Sequence, residues 1–142
     1  MIREYQSADL ESLLNTWYQA SLVAHPFLED AFLQKEKQMI QDVYIPNTKT
    51  WVYEDEGIVV GFIAMMDNEV GAIFVMPNKQ GRGIGSQLMN WAAQMHSTLE
   101  VEVFEKNKIG RGFYKRYGFR FLSKNMHEET GNTLLRLKYS VD

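Results

Sequence analysis

The segment Val75-Met76-Pro77-Asn78-Lys79-Gln80-Gly81-Arg82-Gly83-Ile84-Gly85-Ser86 constrains the fold more than any other part of the chain. An apolar strand pattern ends at Pro77, three glycines fall within five positions, and an amphipathic run follows with Ile84, Leu88, Trp91, Ala92 and Met95 on one side. Glycine admits positive φ and lets a ligand approach the main chain, while a helix starting there directs unpaired N–H groups and partial positive charge outward. Such a turn suits an anion, above all a phosphate or pyrophosphate, and Arg82 can add a charge-assisted contact. A plain strand-to-helix turn explains a lone pair of glycines equally well, so the flanking pattern decides. No Lys follows the last glycine, which removes the nucleotide-triphosphate loop, and the spacing is not G-x-G-x-x-G. The turn also lies midway along the chain, behind an antiparallel pattern instead of inside an opening βαβ unit.

That pattern extends through all 142 residues, a length that predicts one domain over 1–142. Residues 1–5 read as a short strand. A helix then opens with Ser7 as N-cap, carries Leu10, Leu13, Leu14, Trp17 and Tyr18 at helical spacing, and ends near His25-Pro26. A second helix is predicted from 28 to about 44, burying Phe32, Met39, Ile40 and Val43. Residues 50–53, 58–66 and 70–76 are rich in β-branched and aromatic side chains and form an antiparallel meander with turns at 54–57 and 67–69. Beyond the glycine turn and its helix, 99–104 alternates as a strand, 108–117 reads as a short helix, and 119–122 and 134–139 are strands joined around Thr130-Gly131-Asn132. The expected class is α/β, in detail α+β: a mixed, largely antiparallel twisted sheet of about seven strands flanked by about four helices.

Composition removes several functions. Fifteen Lys and Arg against eighteen Asp and Glu leave a net charge of −3, without the broad positive field that holds a nucleic-acid backbone. Cysteine is absent, so the chain has no disulfide framework, thiolate metal site or cysteine nucleophile. His25, His96 and His127 lack ligand spacing, and no metal is expected. With no run of about 18 apolar residues and a charged start at Met1-Ile2-Arg3-Glu4, neither a membrane span nor a signal peptide is predicted, and the expected location is cytoplasmic.

Gln80-Gly81-Arg82-Gly83-Ile84-Gly85 resembles the Q/R-x-x-G-x-G/A signature of the GNAT superfamily of acyl-CoA N-acyltransferases. Upstream, Ile73-Phe74-Val75-Met76-Pro77 looks like the apolar-V-x-P strand that leads into that signature. Downstream, 107–119 is similar to the family's N-x-x-A-x-x-F-Y-x-x-x-G-F, with one departure at Gly110, where Ala is usual. The surroundings of Trp17, His25 and Phe27 also resemble a bacterial subgroup of small stand-alone members.

The resemblance implies acetyl-CoA as co-substrate, its pyrophosphate held by Gln80, Gly81, Arg82, Gly83, Gly85 and Ser86. It implies a strand ending at Val75 that splays from its neighbour and pairs with the pantetheine arm, with an N–H near Phe74 or Val75 polarising the thioester carbonyl. Asn107 takes the place of a cofactor-contacting Asn, and Tyr114 that of the acid protonating the departing thiolate. Phe113 is assigned to the core. An amine of pKa about 10.4 must lose a proton before it attacks, and Glu69, Glu100, Glu102 and His25 are the candidate bases, with Glu102 and His25 foremost. A solvated sheet face explains Glu100 and Glu102 equally well. Trp17, Tyr18, His25, Phe27, Trp51 and His127-Glu128-Glu129 are candidate acceptor-wall residues, with Trp17, His25 and Phe27 foremost, since aromatics with carboxylates suit a cationic amine; each also reads as an ordinary core or surface residue, Trp17 and Trp51 above all as core.

The expected reaction is direct acetyl transfer in a ternary complex, since no cysteine is available to carry the acyl group. The acceptor is a small-molecule or peptide amine, the assembly a monomer or homodimer, and neither nucleic acid nor membrane is a partner. Acylation of a protein N-terminus or aminoacylated tRNA is a further possibility, the latter disfavoured by charge. The competing reading is a non-catalytic coenzyme A-binding sensor or interaction module.

Overall fold

A computed structural model describes residues 1–141. Its frame is a seven-stranded sheet made of β1 (Ile2–Glu4), β2 (Lys49–Asp55), β3 (Ile58–Met66), β4 (Glu69–Val75), β5 (Thr98–Phe104), β6 (Arg120–His127) and β7 (Asn132–Ser140). The order across the sheet is β1-β2-β3-β4-β5-β7-β6. Every neighbouring pair is antiparallel except β4 and β5, which are joined by the crossover helix α3 (Ile84–Ala93). Parallel strands need such a crossover, whereas tight turns make the antiparallel hairpins β2–β3, β3–β4 and β6–β7, and β1–β2 and β5–β7 pair antiparallel across longer connections.

Side-chain alternation places an apolar core on each face. On one face α1 (Leu10–Ala24) and α2 (Asp30–Met39) bury Leu13, Leu14, Trp17 and Leu33 against Val52 and Phe62. On the other, α3 and α4 (Lys108–Tyr117) pack Leu88, Met89, Ala92 and Tyr114 against Ile63, Leu99, Val101 and Val103. The period of two in β5 buries Val101 and Val103 on this second face and directs Glu100 and Glu102 to the first.

The expected mixed sheet, α1 ending at His25 and α4 at 108–117 agree with the structure. Four local readings change. Ser7 is not the N-cap: Arg3 anchors the Asp9 carboxylate at 2.8 and 2.9 Å, and that carboxylate accepts the Gln6 N–H at 2.8 Å, so Asp9 fixes the chain's entry through a 3₁₀ turn at Ser7–Asp9. The second helix stops as an α-helix at Met39 and continues as a π turn (Ile40–Tyr44) and a 3₁₀ turn (Ile45–Asn47). This wider turn alters the helical phase, exposing Val43, while Leu33 and Ile40 are the buried residues. On α3, Met89 completes the stripe in place of Trp91, and Met95 lies beyond the helix end; both Trp91 and Met95 are exposed. The penultimate strand runs on to His127 through polar Ser123, Lys124 and Asn125, because an edge strand needs a partner on one side only.

Candidate active site

A cleft of about 940 Å³ opens where β4 and β5 part. Their pairing is confined to Glu69 with Glu100 and Val70 with Val101. Immediately afterwards the β3–β4 ladder skips a residue: Met65 faces Val70 and Ala64 faces Ala72, leaving Gly71 as the bulged position. A bulge bends its strand and interrupts pairing, which turns Ala72–Val75 away from β5. The expected splay therefore has a local cause. An isolated glycine within a strand pattern is the signal for such a bulge, and Gly71 carried it.

At the outer end of the gap is the glycine turn. Gly81 and Gly83 have φ of +80° and +82°, conformations that L side chains rarely adopt, and a Cβ at Gly81 would meet nothing within 4 Å. Gly83 caps α3, whose first intrahelical bond runs from the Gln87 N–H to the Gly83 carbonyl at 3.0 Å, so the amides of Ile84, Gly85 and Ser86 precede the ladder. The Gln80 side chain folds back to donate to the Val75 carbonyl at 3.1 Å, and Lys79 pairs with Asp55 at 3.2 Å, tying the turn to the strand ends. A Cβ on Gly85 would sit 3.1 Å from the Phe113 ring, so that glycine allows α3 and α4 to close together. Gln80, Gly81, Gly83, Gly85 and Ser86 line the cleft with Phe74 and Val75, whereas Arg82 stands exposed at the turn's outer side. Open main chain, a helix N-terminus and a parted strand pair fit the pyrophosphate and the amide-bearing arm of coenzyme A.

Deeper in the cleft, Tyr114 projects from α4 into its wall. Its side chain is buried, and burial alone pushes its pKa above the ordinary phenol value, so the hydroxyl keeps its proton throughout the neutral range. Phe113 is half-buried and lines the same wall. Asn107 is buried at the start of α4, accepting the Gly110 N–H at 2.8 Å and standing 3.1 Å from His25 Nε2. His25 closes α1 within an aromatic surround of Phe27, Phe74 and Phe104, and burial lowers its pKa to about 4. It is a neutral imidazole at pH 7.

Trp17, His25 and His127 line the cleft, and Phe27 packs edge-on against His25 and Phe104 beside it. Tyr18 points elsewhere and donates to Asp30 at 3.0 Å, while Trp51 belongs to the core. The carboxylates divide. Arg136 on β7 binds Glu69 and Glu100, the latter at 2.8 Å, while Glu102 lies 3.9 Å from it and borders the cleft. Arg136 was not singled out from sequence, because it faces Glu102 only once β7 is known to pair with β5.

Glu36 is a further residue of the site. It lines the cleft on α2, half-buried, together with Phe32, Tyr44 and His127. Burial raises its pKa, as does the charge of Glu129, while His127 lowers it. Its setting, Gln34-Lys35-Glu36-Lys37-Gln38, reads as a solvated helix face, and no sequence signal distinguished it. Among the described residues no group of three or more His, Asp or Glu side chains converges as a metal site, and no helix is long and apolar enough to cross a membrane.

Comparison with known proteins gives this geometry a lineage. The acetyltransferase (GNAT) domain family matches residues 46–121. The peptidyl-lysine N-acetyltransferase YiaC of Escherichia coli is 34% identical over 131 residues, covering 92% of this chain and 90% of the relative. The peptidyl-lysine N-acetyltransferase YjaB of Salmonella typhimurium is 29% identical over 141 residues, covering 97% of each. The solution structure of apo YjaB from Escherichia coli superposes with a TM-score of 0.88 at 27% identity, covering 98% of this chain and 96% of that one. PaiA N-acetyltransferase from Thermoplasma acidophilum, solved in complex with coenzyme A, shares the fold at TM-score 0.79 and 16% identity, with 98% of each chain covered. A domain match across the cradle and the parted strands, joined to relatives aligned along nearly the whole chain, makes this protein a member of the GNAT family, an enzyme that moves an acetyl group from acetyl-CoA to an amine.

Proposed function

We propose that the protein acetylates lysine side chains of polypeptides by direct attack in a ternary complex. The observation carrying this reading is the gap between β4 and β5, with a main-chain anion cradle at one end and an acidic, aromatic wall at the other. Two relatives that match over nearly their full length are named peptidyl-lysine N-acetyltransferases, which favours lysine over a small free amine. In this reading the amides around Gln80, Gly81, Arg82, Gly83, Gly85 and Ser86 hold the pyrophosphate, and the free backbone edge at Phe74 and Val75 meets the pantetheine arm and thioester carbonyl. Glu36, with Phe32 and Tyr44 beside it, receives the acceptor ammonium; Trp17, Phe27 and His25 continue the aromatic wall.

Glu102 takes the ammonium proton through water: of the three carboxylates around Arg136 it is the one that lines the cleft and the one held at the longest distance, 3.9 Å. The low basicity of His25 favours a wall role over that of base. The neutral amine nitrogen then bonds to the thioester carbonyl carbon and gives up its second proton to solvent as the C–S bond breaks, and Tyr114 donates its hydroxyl hydrogen to the departing sulfur. Solvent returns that proton. Burial keeps that hydrogen on the phenol until charge develops on the sulfur, and a hydrogen bond to such charge is worth more in a dry wall than in water.

Thiol release from acetyl-CoA, measured with a lysine-containing peptide of blocked N-terminus, the same peptide with the lysine replaced by Arg, and a panel of small amines, tests the reading. Release should require the peptide lysine. Turnover confined to small amines would exclude the polypeptide acceptor, and coenzyme A binding without turnover on any amine would favour a sensor.

A further inference from the structure

Asn107 makes two hydrogen bonds whose chemistry fixes three residues at once. A backbone N–H only donates, so the atom facing Gly110 N at 2.8 Å must be the amide oxygen. The amide's orientation is thereby settled, and Nδ2 is the atom 3.1 Å from His25 Nε2. An NH₂ group only donates, so Nε2 must carry a lone pair and the ring proton must sit on Nδ1. The buried setting of His25 keeps the ring neutral, as this arrangement requires.

Gly110 is the third member. A Cβ there would lie 2.5 Å from Asn107 Nδ2, closer than real Cβ atoms come, and 3.0 Å from its Cγ, at the tight limit. The amide lies over the first turn of α4 in space that a glycine leaves free, and a side chain at 110 would move it, since it is the end of a flexible side chain. The departure from Ala noted in the sequence thus coincides with the position where Ala would disturb this bridge.

We propose that Gly110 and His25 are positioning residues that hold the Asn107 amide in one orientation, joining the acceptor wall at the end of α1 to the cofactor wall at the start of α4. Oδ1 is spent on the helix, one Nδ2 hydrogen on His25, and the second hydrogen remains for a pantetheine carbonyl. That last contact rests on the acetyl-CoA reading of the cleft; the bridge itself is a property of the free protein.

Imidazole ¹⁵N NMR of the full chain without ligand reads the bridge directly. His25 should show the Nδ1–H tautomer at neutral pH. Asn107→Asp keeps an N-cap acceptor for Gly110 but removes the donor, so His25 should switch to Nε2–H with a raised pKa. Gly110→Ala should fold, because alanine favours a helix, yet His25 should lose its single tautomer and coenzyme A should bind up to about tenfold more weakly. A wild-type Nε2–H tautomer, an unchanged tautomer in Asn107→Asp, or a Gly110→Ala protein with wild-type His25 signals would overturn the proposal. Wild-type affinity in Gly110→Ala would overturn the positioning role. Were the wild type to bind no coenzyme A while the tautomer behaved as stated, the bridge would stand and the acetyl-CoA reading of the cleft would be the part that failed.

Discussion

Replacing Tyr114 by Phe removes one oxygen from the cleft wall and leaves the ring to pack against Phe113 and Phe119 as before. Burial is the sole cause raising the tyrosine's pKa, with no charged or hydrogen-bonding neighbour contributing, so little native interaction is lost with the hydroxyl. Folding stability at pH 7 should change by less than about 1 kcal/mol, the net value of an ordinary hydrogen bond. Turnover should behave differently. Loss of one donor aimed at developing charge typically lowers kcat about 10²- to 10³-fold, or about 2.7–4 kcal/mol of transition-state stabilisation. Coenzyme A affinity should hold, because the cradle is made of main-chain amides that this substitution leaves in place. The same variant carries a second signature. A phenol whose folded pKa lies above its unfolded value of about 10 binds its proton more tightly when native, so stability should fall as pH rises above about 10, by up to about 1.4 kcal/mol per pH unit. Tyr114→Phe should lack that contribution. Thiol-release kinetics, coenzyme A titration and denaturant melts from pH 7 to 11 supply the readouts. A variant with wild-type kcat would remove Tyr114 from the chemistry, and identical alkaline stability slopes in both proteins would refute the argument from burial.

Gly83→Val should weaken coenzyme A binding more than tenfold, whereas Gly131→Val, with a similar φ of +74° but in the β6–β7 turn, should impose comparable backbone strain of about 1–2 kcal/mol and spare that affinity; equal binding losses in calorimetry would make strain the whole effect. Glu36→Gln should raise the KM for a lysine peptide about tenfold with kcat largely kept, as expected for about 1.4 kcal/mol of uniform binding. Because burial raises the pKa of Glu36, its charge opposes folding at neutral pH, and the same variant should melt higher; unchanged KM would exclude the acceptor role. Asp9→Asn should cost about 1–3 kcal/mol at pH 7 by removing the carboxylate that Arg3 holds through two bonds, with Glu54 remaining as its second partner at 3.0 Å. Arg3 holds the Asp9 pKa below its usual 3.8, so that stabilisation is present above pH 3.8 and lost as pH falls through the folded value; a deficit undiminished at pH 2 would contradict it.

Features encoded over a few neighbouring residues were legible before the fold was known. The glycine turn, the α4 segment with Asn107 and Tyr114, and the alternation of Leu99–Phe104 depend on local conformation and spacing, and each lies where those patterns put it. What escaped depends on pairing across the sheet or on distant parts of the chain. Arg136 meets Glu69 and Glu100 because β7 inserts between β5 and β6, an order with no counterpart in sequence order. His25 and Asn107 are 82 residues apart, and neither residue type alone specifies the other. Glu36 resembles its solvated neighbours until α2 is laid across the cleft. The π turn after Met39 shifted the buried face by changing helical phase, which a period of 3.6 does not anticipate.

The two-residue contact between β4 and β5 places an unfinished hydrogen-bonding edge in the middle of the sheet, where most folds keep theirs at the margins. An extended stranger can therefore lodge at the heart of the molecule as readily as at its rim. Any occupant that supplies the missing ladder also splices two half-sheets into one, so amide exchange along Ala72–Val75 should slow when the seam is filled.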